Sequence, residues 1–209
     1  MSDDAETAVR SRRTPLLLVV VVIGAAAAIF ITTQVTQRRI ARNEQAWFQE
    51  QLHAVLNGVS FDNDPFNESM QIVAPDLGTL RPLPAYLARR EKQTVAIALT
   101  TIAPDGYRGP MTLLIGIDAS ERIVGLRVLA HQETPGLGDA FEKRGSHWLE
   151  AFVGRSLQSP PQQRWAVRKD GGDFDQFTGA TVTPRAIVKA TRHALEYVHA
   201  HHQQFFPSS

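Results

Sequence analysis

The chain has 209 residues with a formal net charge of +1 at pH 7, from 22 basic and 21 acidic residues, and it contains no cysteine. The lack of cysteine excludes disulfides, thiolate catalysis, Cys-ligated iron–sulfur clusters and Cys-based zinc sites, so electron transfer by this chain would need an organic cofactor or a histidine-bound metal. The near-zero net charge gives no indication of a nucleic-acid partner.

The first predicted element is an uncharged segment at residues 14–35, which is 22 residues long. A helix of that length crosses about 30 Å of hydrocarbon, so we predict a transmembrane helix at residues 14–36 behind a cytoplasmic tail at residues 1–13. A cleaved signal peptide is the alternative, because three arginines precede the segment and residues 25–28 are all alanine. The apolar run continues past those alanines, which favours an anchor.

Arginines flank the predicted span on both sides, so charge alone leaves its orientation open. A short tail, a single span and a large following domain favour the N-terminus inside and the domain outside. About 170 residues follow the span, enough for one domain with its own core.

Residues 37–90 are predicted to be a helical and irregular linker. Apolar side chains recur at helical spacing over residues 38–55, so an amphipathic helix is expected to continue from the span. Packing of that helix on its own domain is favoured over packing on neighbouring membrane subunits. Residues 61–83 carry Asp, Asn, Glu and Pro among few periodic apolar side chains, which favours irregular structure.

Three β-rich runs follow, at residues 94–102, 111–118 and 123–130. A short connection at residues 118–122 joins the last two runs as in a hairpin. The simplest arrangement is a three-stranded antiparallel meander.

A helix is predicted over residues 139–153, with Asp139 as its N-cap. Large side chains recur there at helical spacing, at Phe141, Trp148, Leu149 and Phe152. The predicted fold class is therefore α+β: a single N-terminal transmembrane helix followed by one domain at residues 91–205, in which helices flank an antiparallel sheet.

The stretch DFDQFTGATVT at residues 173–183 precedes the last helical pattern. Thr183 is a favourable N-cap and Pro184 suits the first helical position, so a helix is expected directly after Thr181. The unpaired N–H groups and the positive dipole end of such a helix favour a phosphate, and the two small residues before Thr181 leave its hydroxyl accessible. Taken alone, TGAT is better explained as an ordinary capped turn.

Two loops rich in glycine and proline lie earlier in the chain, within GYRGPMTLLIGID at residues 106–118 and HQETPGLGD at residues 131–139. Turn chemistry explains each loop when it is considered alone. Together with residues 173–183, and in this order behind one N-terminal span, the motifs resemble the G subunit of the Rnf (also called Rsx) ion-translocating electron-transport complex. The joint pattern is far more specific than TGAT and reverses the interpretation of that motif as a turn.

The resemblance implies FMN as cofactor, esterified through its phosphate to Thr181 by a separate flavin transferase. It implies an FMN-binding domain on the periplasmic side of a bacterial inner membrane, with the other subunits of an Rnf-type complex as partners. That complex couples electron transfer between ferredoxin and NAD to ion movement. This subunit is expected to relay electrons, with no catalytic residue, metal site or substrate turnover of its own. The predicted cofactor-binding residues are Thr178, Gly179, Ala180, Thr181, Val182 and Thr183, together with Glu133, Thr134, Gly136, Leu137 and Gly138.

Three other functions stay open. The C subunit of the sodium-pumping NADH:quinone reductase has a similar flavin motif, although the chain length and the wording of the two earlier motifs favour the Rnf subunit. A cofactor-free, membrane-anchored assembly subunit would use TGAT only as a turn. A hydrolase would use Thr181 as its nucleophile, but the motif lacks the base that activates a threonine.

Four histidines lie near the C-terminus, and a helix could bring some of them within reach of one another. No carboxylate or Cys partner is nearby in sequence, so a solvated helix end is favoured over a metal site. The four are His193, His199, His201 and His202.

Other polar residues near the motifs have modest expected roles. Asp173 and Asp175 are expected to set the turn ahead of the helix, with contact to the transferase as a further option. Arg185 and Lys189 lie in the first turns of the last helix, where surface solubility is the safer expectation than phosphate contact. Tyr107 is as suited to loop packing as to stacking on a flavin.

Overall fold

Helix α1, Asp3–Val55, is the first element of the computed structural model, which describes residues 3–143 and 145–207. The chain divides into two units, one ending at Phe48 and the other beginning at Gln49. Most of α1 lies in the first unit, and its last turns belong to the second.

One helical stretch of the described chain, Val21–Val55, is long and apolar enough to cross a membrane, judged by length and composition. The apolar side chains of its N-terminal part are open to the surroundings: Ile23 is 63 % exposed and Phe30 is 64 % exposed. A helix with large apolar side chains exposed all round is suited to a nonpolar environment such as lipid. The bounds 14–36 stay a prediction, and the first two residues of the tail predicted at residues 1–13 lie outside the described part of the chain.

The second unit is built on a five-stranded antiparallel sheet whose strands are neighbours in chain order. Helices α2 and α3 follow the sheet, and the predicted α+β fold class is confirmed. The strands are β1 (Ser69–Ile72), β2 (Leu83–Arg90), β3 (Gln93–Ala103), β4 (Met111–Asp118) and β5 (Ile123–Ala130), and the helices are α2 (Val182–Ala200) and α3 (His202–Phe205).

The three β-rich runs of the sequence are confirmed as β3, β4 and β5. The predicted connection between β4 and β5 is a tight turn closed by Asp118, whose Oδ1 accepts the backbone N–H of Ser120 at 2.8 Å and of Arg122 at 2.9 Å. An aspartate that binds the backbone two residues ahead stabilises such a turn.

The structure differs from the sequence pattern at β1 and β2, which lie in residues 37–90, where only helix and irregular chain are predicted. Strand β2 reads LPAYLARR and has no β-branched side chain, so its strand propensity is weak. Its turn into β3 consists of Glu91 and Lys92, both at positive φ, 54° and 68°. That turn geometry is usually signalled by Asn-Gly, and the sequence carries no such signal. The extended conformation of β2 therefore depends on its pairing with β3 rather than on its own sequence.

One face of the sheet packs against α2 and forms the main core. Ile97 and Leu99 of β3 are fully buried in the same cluster as Ile187 and Val198 of α2. The buried side chains of α2 recur at helical spacing, so the helix presents one apolar face to the sheet.

The last turns of α1 pack on this unit through a pair of glycines. Gly116 of β4 and Gly125 of β5 are cross-strand partners. A Cβ at either position would lie 2.0 Å or 2.6 Å from the carbonyl oxygen of Val55, which is itself fully buried. The two glycines thus make a flat area on which the helix end rests, as favoured by the amphipathic pattern of its last turns.

Residues 139–153 do not form the predicted helix. They contain two short 3-10 helices, Ala140–Glu142 and Leu149–Phe152. The predicted N-cap is also wrong, because Asp139 makes no cap and its Oδ1 accepts the N–H of Gly136 at 2.7 Å. The large side chains are spaced for contacts with the aromatic residues Phe174 and Phe177 rather than for one face of a helix.

Aromatic side chains of this segment anchor the chain that leads into α2. Phe152 stacks on Phe174 with ring centroids 4.5 Å apart, and Trp148 meets Phe177 edge to face at 5.0 Å. Trp148 Nε1 also donates to the carbonyl oxygen of Asp175 at 2.8 Å. These contacts hold residues 173–177 in place immediately ahead of the TGAT motif.

Gly116→Ala is expected to destabilise the second unit, because the added methyl group meets the Val55 carbonyl oxygen. We expect a loss of about 2 to 3 kcal/mol in the free energy of unfolding, the upper part of the range for overpacking. Thermal unfolding of the full chain in detergent, followed by tryptophan fluorescence, measures the change.

Gly58→Ala is the matched control for that experiment. A Cβ at Gly58 meets nothing within 4 Å, so only its backbone strain at φ 92° remains, which costs about 1 kcal/mol. Equal losses in the two variants would contradict the packing of Val55 on the glycine pair.

Candidate cofactor site

Helix α2 begins at Val182 with Thr181 as its N-cap residue, which confirms the predicted start directly after Thr181. The predicted capping details are wrong. Thr183 is the second helical residue rather than the N-cap, and Pro184 is the third rather than the first. Proline is accepted there because backbone N–H groups of the first turn have no partner within the helix.

The side chain of Thr181 is half-buried at this helix start. It makes no capping hydrogen bond, and among the described residues no other hydrogen bond engages its hydroxyl. The first helical hydrogen bond to its carbonyl comes from Arg185 N at 3.4 Å. The backbone N–H groups between Thr181 and Arg185 therefore point out of the N-terminal end of the helix, where the helix dipole is positive.

A cavity of about 310 Å³ opens beside Thr181. Three separate segments line it: the β3–β4 loop, the loop after β5, and the start of α2. The lining residues are Tyr107, Glu133, Thr134, Leu137, Gly138, Gly179, Ala180, Thr181, Val182 and Thr183. Its volume lies at the lower end of the range of small-molecule sites, roughly 300–1,000 Å³.

Most residues predicted to bind a cofactor meet at this cavity, and two do not line it. Thr178 is exposed on the turn before Gly179. Gly136 lies in a turn at φ 82°, where its carbonyl accepts from Lys143 Nζ at 3.1 Å. Gly136 therefore shapes the loop that carries Leu137 and Gly138. Tyr107, for which the sequence favoured neither loop packing nor stacking on a flavin, lines the cavity and is 70 % exposed.

The mouth of the cavity is apolar. Leu137 is 49 % exposed and Val182 is 39 % exposed, although both are large hydrophobic side chains. Gly179 adopts φ 81°, and a Cβ there would lie 3.7 Å from Leu137 Cδ2. The side chain of Leu137 thus faces the TGAT turn across the opening.

The carboxylate of Glu133 is buried in the wall of the cavity, with only 4 % of the residue exposed. Its Oε2 accepts the Thr183 hydroxyl at 2.5 Å, and its Oε1 accepts the backbone N–H of Arg108 at 3.3 Å. All three lining segments are thereby connected through one side chain. Nothing in the sequence pattern singles out this contact, since its partners lie 50 and 25 residues away.

The basic residues of α2 are engaged by carboxylates of neighbouring loops. Arg185 donates twice to Asp170, at 2.5 Å and 2.6 Å, and Lys189 donates to Asp105 at 2.6 Å. The hydrogen bond from Arg185 lowers the pKa of Asp170 below its ordinary value. These pairs tie the helix to the loops around it and are not directed at Thr181.

Asp173 and Asp175 also form ion pairs ahead of the helix. Asp173 binds Arg164, and Asp175 Oδ1 lies 3.1 Å from Arg168 Nε. Both contacts stabilise the segment between the aromatic cluster and the TGAT turn. The expected role in capping the turn is not seen among the described residues, where each carboxylate is paired with an arginine instead.

Two of the four C-terminal histidines share one carboxylate that is distant in sequence. His199 Nδ1 lies 2.7 Å from Glu121 Oε2, and His202 Nδ1 lies 2.9 Å from Glu121 Oε1. The two contacts join the end of α2 and the start of α3 to the β4–β5 turn. Over the described part of the chain, no group of three His, Asp or Glu side chains is arranged to hold a metal ion.

Several curated proteins are similar to this chain over most of its length, and each is named as the G subunit of an ion-translocating oxidoreductase complex. The Vibrio cholerae serotype O1 protein is 48 % identical over 180 residues, covering 84 % of each chain. The Shewanella baltica protein is 45 % identical over 174 residues, covering 83 % of this chain and 82 % of that protein. The Pseudomonas aeruginosa protein is 43 % identical over 202 residues, covering 96 % and 94 %.

A family model described as an FMN-binding domain matches residues 106–196. That range contains every residue that lines the cavity. Two independent comparisons therefore lead to one assignment: the chain belongs to the family of G subunits of ion-translocating oxidoreductase complexes and carries an FMN-binding domain.

Proposed function

We propose that this chain is a membrane-anchored electron-relay subunit of an ion-translocating oxidoreductase complex, with FMN attached covalently through its phosphate to Thr181. The observation that carries the proposal is the Thr181 hydroxyl, which lines the cavity at the start of α2 and has no hydrogen-bond partner among the described residues. The names of the relatives support membership of a complex.

The residues around Thr181 suit a phosphate. The N–H groups of the first turn of α2 and its positive dipole end favour an anion by about 0.3 to 1 kcal/mol at an exposed site. The two residues before Thr181 are Gly179 and Ala180, which leave space for a bulky group. A phosphoester at this hydroxyl would leave every internal hydrogen bond of the turn intact.

The mouth of the cavity suits a flat ring. Leu137 and Val182 offer apolar contact, and Tyr107 offers an aromatic face. FMN, when bound, supplies an isoalloxazine ring that accepts and releases electrons. Because these three side chains are partly exposed, the same opening leaves room for a redox partner of the complex.

Attachment requires an activated donor and a base. The Thr181 oxygen forms a bond to the flavin-side phosphorus of a phosphoanhydride such as flavin adenine dinucleotide; the anhydride P–O bond breaks, the nucleoside monophosphate leaves, and the hydroxyl proton passes to a base. In the described lining of the cavity the one carboxylate is Glu133, which already accepts the Thr183 hydroxyl. A separate flavin transferase is therefore proposed to supply the base.

The missing base also bears on the hydrolase alternative, which would need Thr181 activated within this chain. We accordingly assign no substrate turnover to the subunit alone. Of the other two functions left open by the sequence, a sodium-pumping reductase subunit is disfavoured, because the relatives are named as G subunits of an ion-translocating oxidoreductase complex. A cofactor-free assembly subunit differs from the proposal in carrying no flavin.

The proposed location is the bacterial inner membrane, with α1 as the anchor and the second unit on the periplasmic side. The exposed apolar side chains of residues 21–31 support the anchor. The periplasmic side is proposed from the resemblance to the family, and a labelling experiment tests it.

Thr181→Val is expected to abolish covalent flavin while leaving the protein folded, because the hydroxyl makes no hydrogen bond that the fold needs. The full chain is produced with an active flavin transferase and exported, then denatured and separated on a gel. Wild-type protein should fluoresce under ultraviolet light, and the variant should not. Thr178→Val is the matched control and should keep the fluorescence. A fluorescent Thr181→Val band would overturn the attachment site, and a dark wild-type band would favour the cofactor-free subunit.

Leu137→Ala is expected to raise the midpoint potential of the bound flavin, because removing apolar cover lets water solvate the negative charge that electrons bring. The apolar shell around a redox centre controls solvent access and hence its potential, so we expect a measurable upward shift. Leu80→Ala is the control, since Leu80 is 76 % exposed and does not line the cavity. Redox titration of both flavinylated variants checks the assignment; equal potentials would remove Leu137 from the flavin environment.

The cysteine-free chain permits a clean test of orientation. A single cysteine at Ser120→Cys, in the exposed β4–β5 turn, should react with a membrane-impermeant maleimide in cells with a permeabilised outer membrane. Ser11→Cys, on the other side of the predicted span, should react only after the inner membrane is disrupted. The reverse labelling pattern would place the domain in the cytoplasm.

A further inference from the structure

We propose that Glu133 and Thr183 act as positioning residues for flavin attachment: their buried hydrogen bond holds the first turn of α2 so that the Thr181 hydroxyl faces the cavity. This inference rests on the proposed function. It also assigns both residues a role different from direct contact with the cofactor.

Glu133 is surrounded by donors and by backbone, with no cation in contact among the described residues. Thr183 Oγ1 donates to Oε2 at 2.5 Å, and the N–H of Arg108 donates to Oε1 at 3.3 Å. Glu133 is 4 % exposed and Thr183 is fully buried. A buried carboxylate without its donors is strongly unfavourable, so this arrangement requires all three segments to stay together.

Two glycines make room for the carboxylate. A Cβ at Gly138 would lie 2.7 Å from Glu133 Oε2 and 3.2 Å from Thr183 Oγ1. A Cβ at Gly106 would lie 3.0 Å from Glu133 Oε1, although its nearest neighbour would be the Gly109 carbonyl oxygen at 2.2 Å. Glu133 therefore explains the glycine at position 138, whereas Gly106 is required first by the fold of its own loop.

The loop that carries Glu133 is braced from its other side by His131. The backbone N–H of Glu133 donates to His131 Nδ1 at 3.2 Å, and His131 Nε2 lies 3.0 Å from Glu142 Oε1. Because Nδ1 accepts, the ring proton is on Nε2 and is directed to Glu142. The position of the Glu133 backbone is thus set independently of α2.

Through its bond to Glu133, Thr183 couples the position of the Glu133 loop to the orientation of Thr181. Residues two apart on a helix face different directions, so the inward orientation of Thr183 turns Thr181 away from the core. The helix start has no side-chain cap, and Pro184 supplies no N–H. The Glu133–Thr183 bond is therefore the buried polar contact that sets the rotation of this turn about the helix axis, and the exposed Arg185–Asp170 pair acts on the outer side of the same turn.

Direct binding of the flavin phosphate by Glu133 is disfavoured on electrostatic grounds. Two like charges in one buried site repel each other. Both carboxylate oxygens are already occupied by donors from the protein. A positioning role uses these contacts as they are, whereas a ligand role would require them to break.

The test measures how fast flavin attaches to full-length protein prepared without flavin, after addition of flavin transferase and flavin adenine dinucleotide. In-gel fluorescence against time gives the rate. Thr183→Val is expected to slow attachment about tenfold, because misplacing a reacting group by about 1 Å costs up to about a hundredfold. The loss should fall on kcat, with the KM for flavin adenine dinucleotide unchanged. Thr183→Ser keeps the donor and should stay within about twofold of the wild type.

Thr191→Val is the matched control. Thr191 is also a fully buried threonine of α2, but its hydroxyl has no hydrogen-bond partner among the described residues. Its replacement should leave the rate unchanged. If Thr183→Val does not fold, as judged by tryptophan fluorescence, Glu133→Met gives the same comparison, because its side chain has a similar length and its thioether is too weak an acceptor to hold the Thr183 hydroxyl.

The outcomes separate this inference from the proposed function. Attachment to Thr183→Val or Glu133→Met at the wild-type rate, with Thr181→Val blocked, would overturn the positioning role and leave the attachment site standing. Equal slowing by Thr191→Val would also overturn it, since any buried change would then suffice. No attachment to the wild type would overturn the proposed function and this inference together.

Discussion

The packing of α2 against β3 and β4 is the contact on which the rest of the domain depends. It buries one face of the helix with Ile97, Leu99, Ile187 and Val198 in the main core. The burial of such side chains stabilises a domain by roughly 1.5 to 3 kcal/mol each. Because the helix is held along its length, its first turn has a defined position beside the loops that follow β3 and β5. The cavity at Thr181 forms where the first turn of α2 and these two loops meet.

Two kinds of interaction act at the end of the domain that contains Thr181. Apolar packing, including the aromatic cluster around Phe152 and Phe174, brings the segments together and is tolerant of small shifts. The buried Glu133–Thr183 hydrogen bond is directional, and it costs much more to leave unmade than to keep. The proposed attachment site needs the directional kind, because the Thr181 hydroxyl would have to face an external flavin donor while the side chains beside it stay in place.

Local signals explain which parts of the fold were predictable. Strands β3 to β5 are rich in apolar and β-branched residues. The start of α2 follows from Pro184 and from apolar residues at helical spacing, although the predicted N-cap is wrong. Strands β1 and β2 carry no such signal, since their pairing depends on β3 and on a turn without glycine. At residues 139–153 the spacing of Trp148 and Phe152 imitates a helix, although the side chains are spaced to meet Phe174 and Phe177.

The sequence by itself determined the uncharged N-terminal segment, the α+β class and the three motifs that identify the family, because the patterns behind them lie in neighbouring residues. Its composition also excluded chemistry that requires cysteine. Only the tertiary structure decided which motif residues share one cavity, that Gly136 and Thr178 lie outside its lining, and that Glu133 is bonded to Thr183. Those facts join residues up to 50 positions apart. Contacts over such separations arise when the sheet and α2 pack, and no local pattern encodes them.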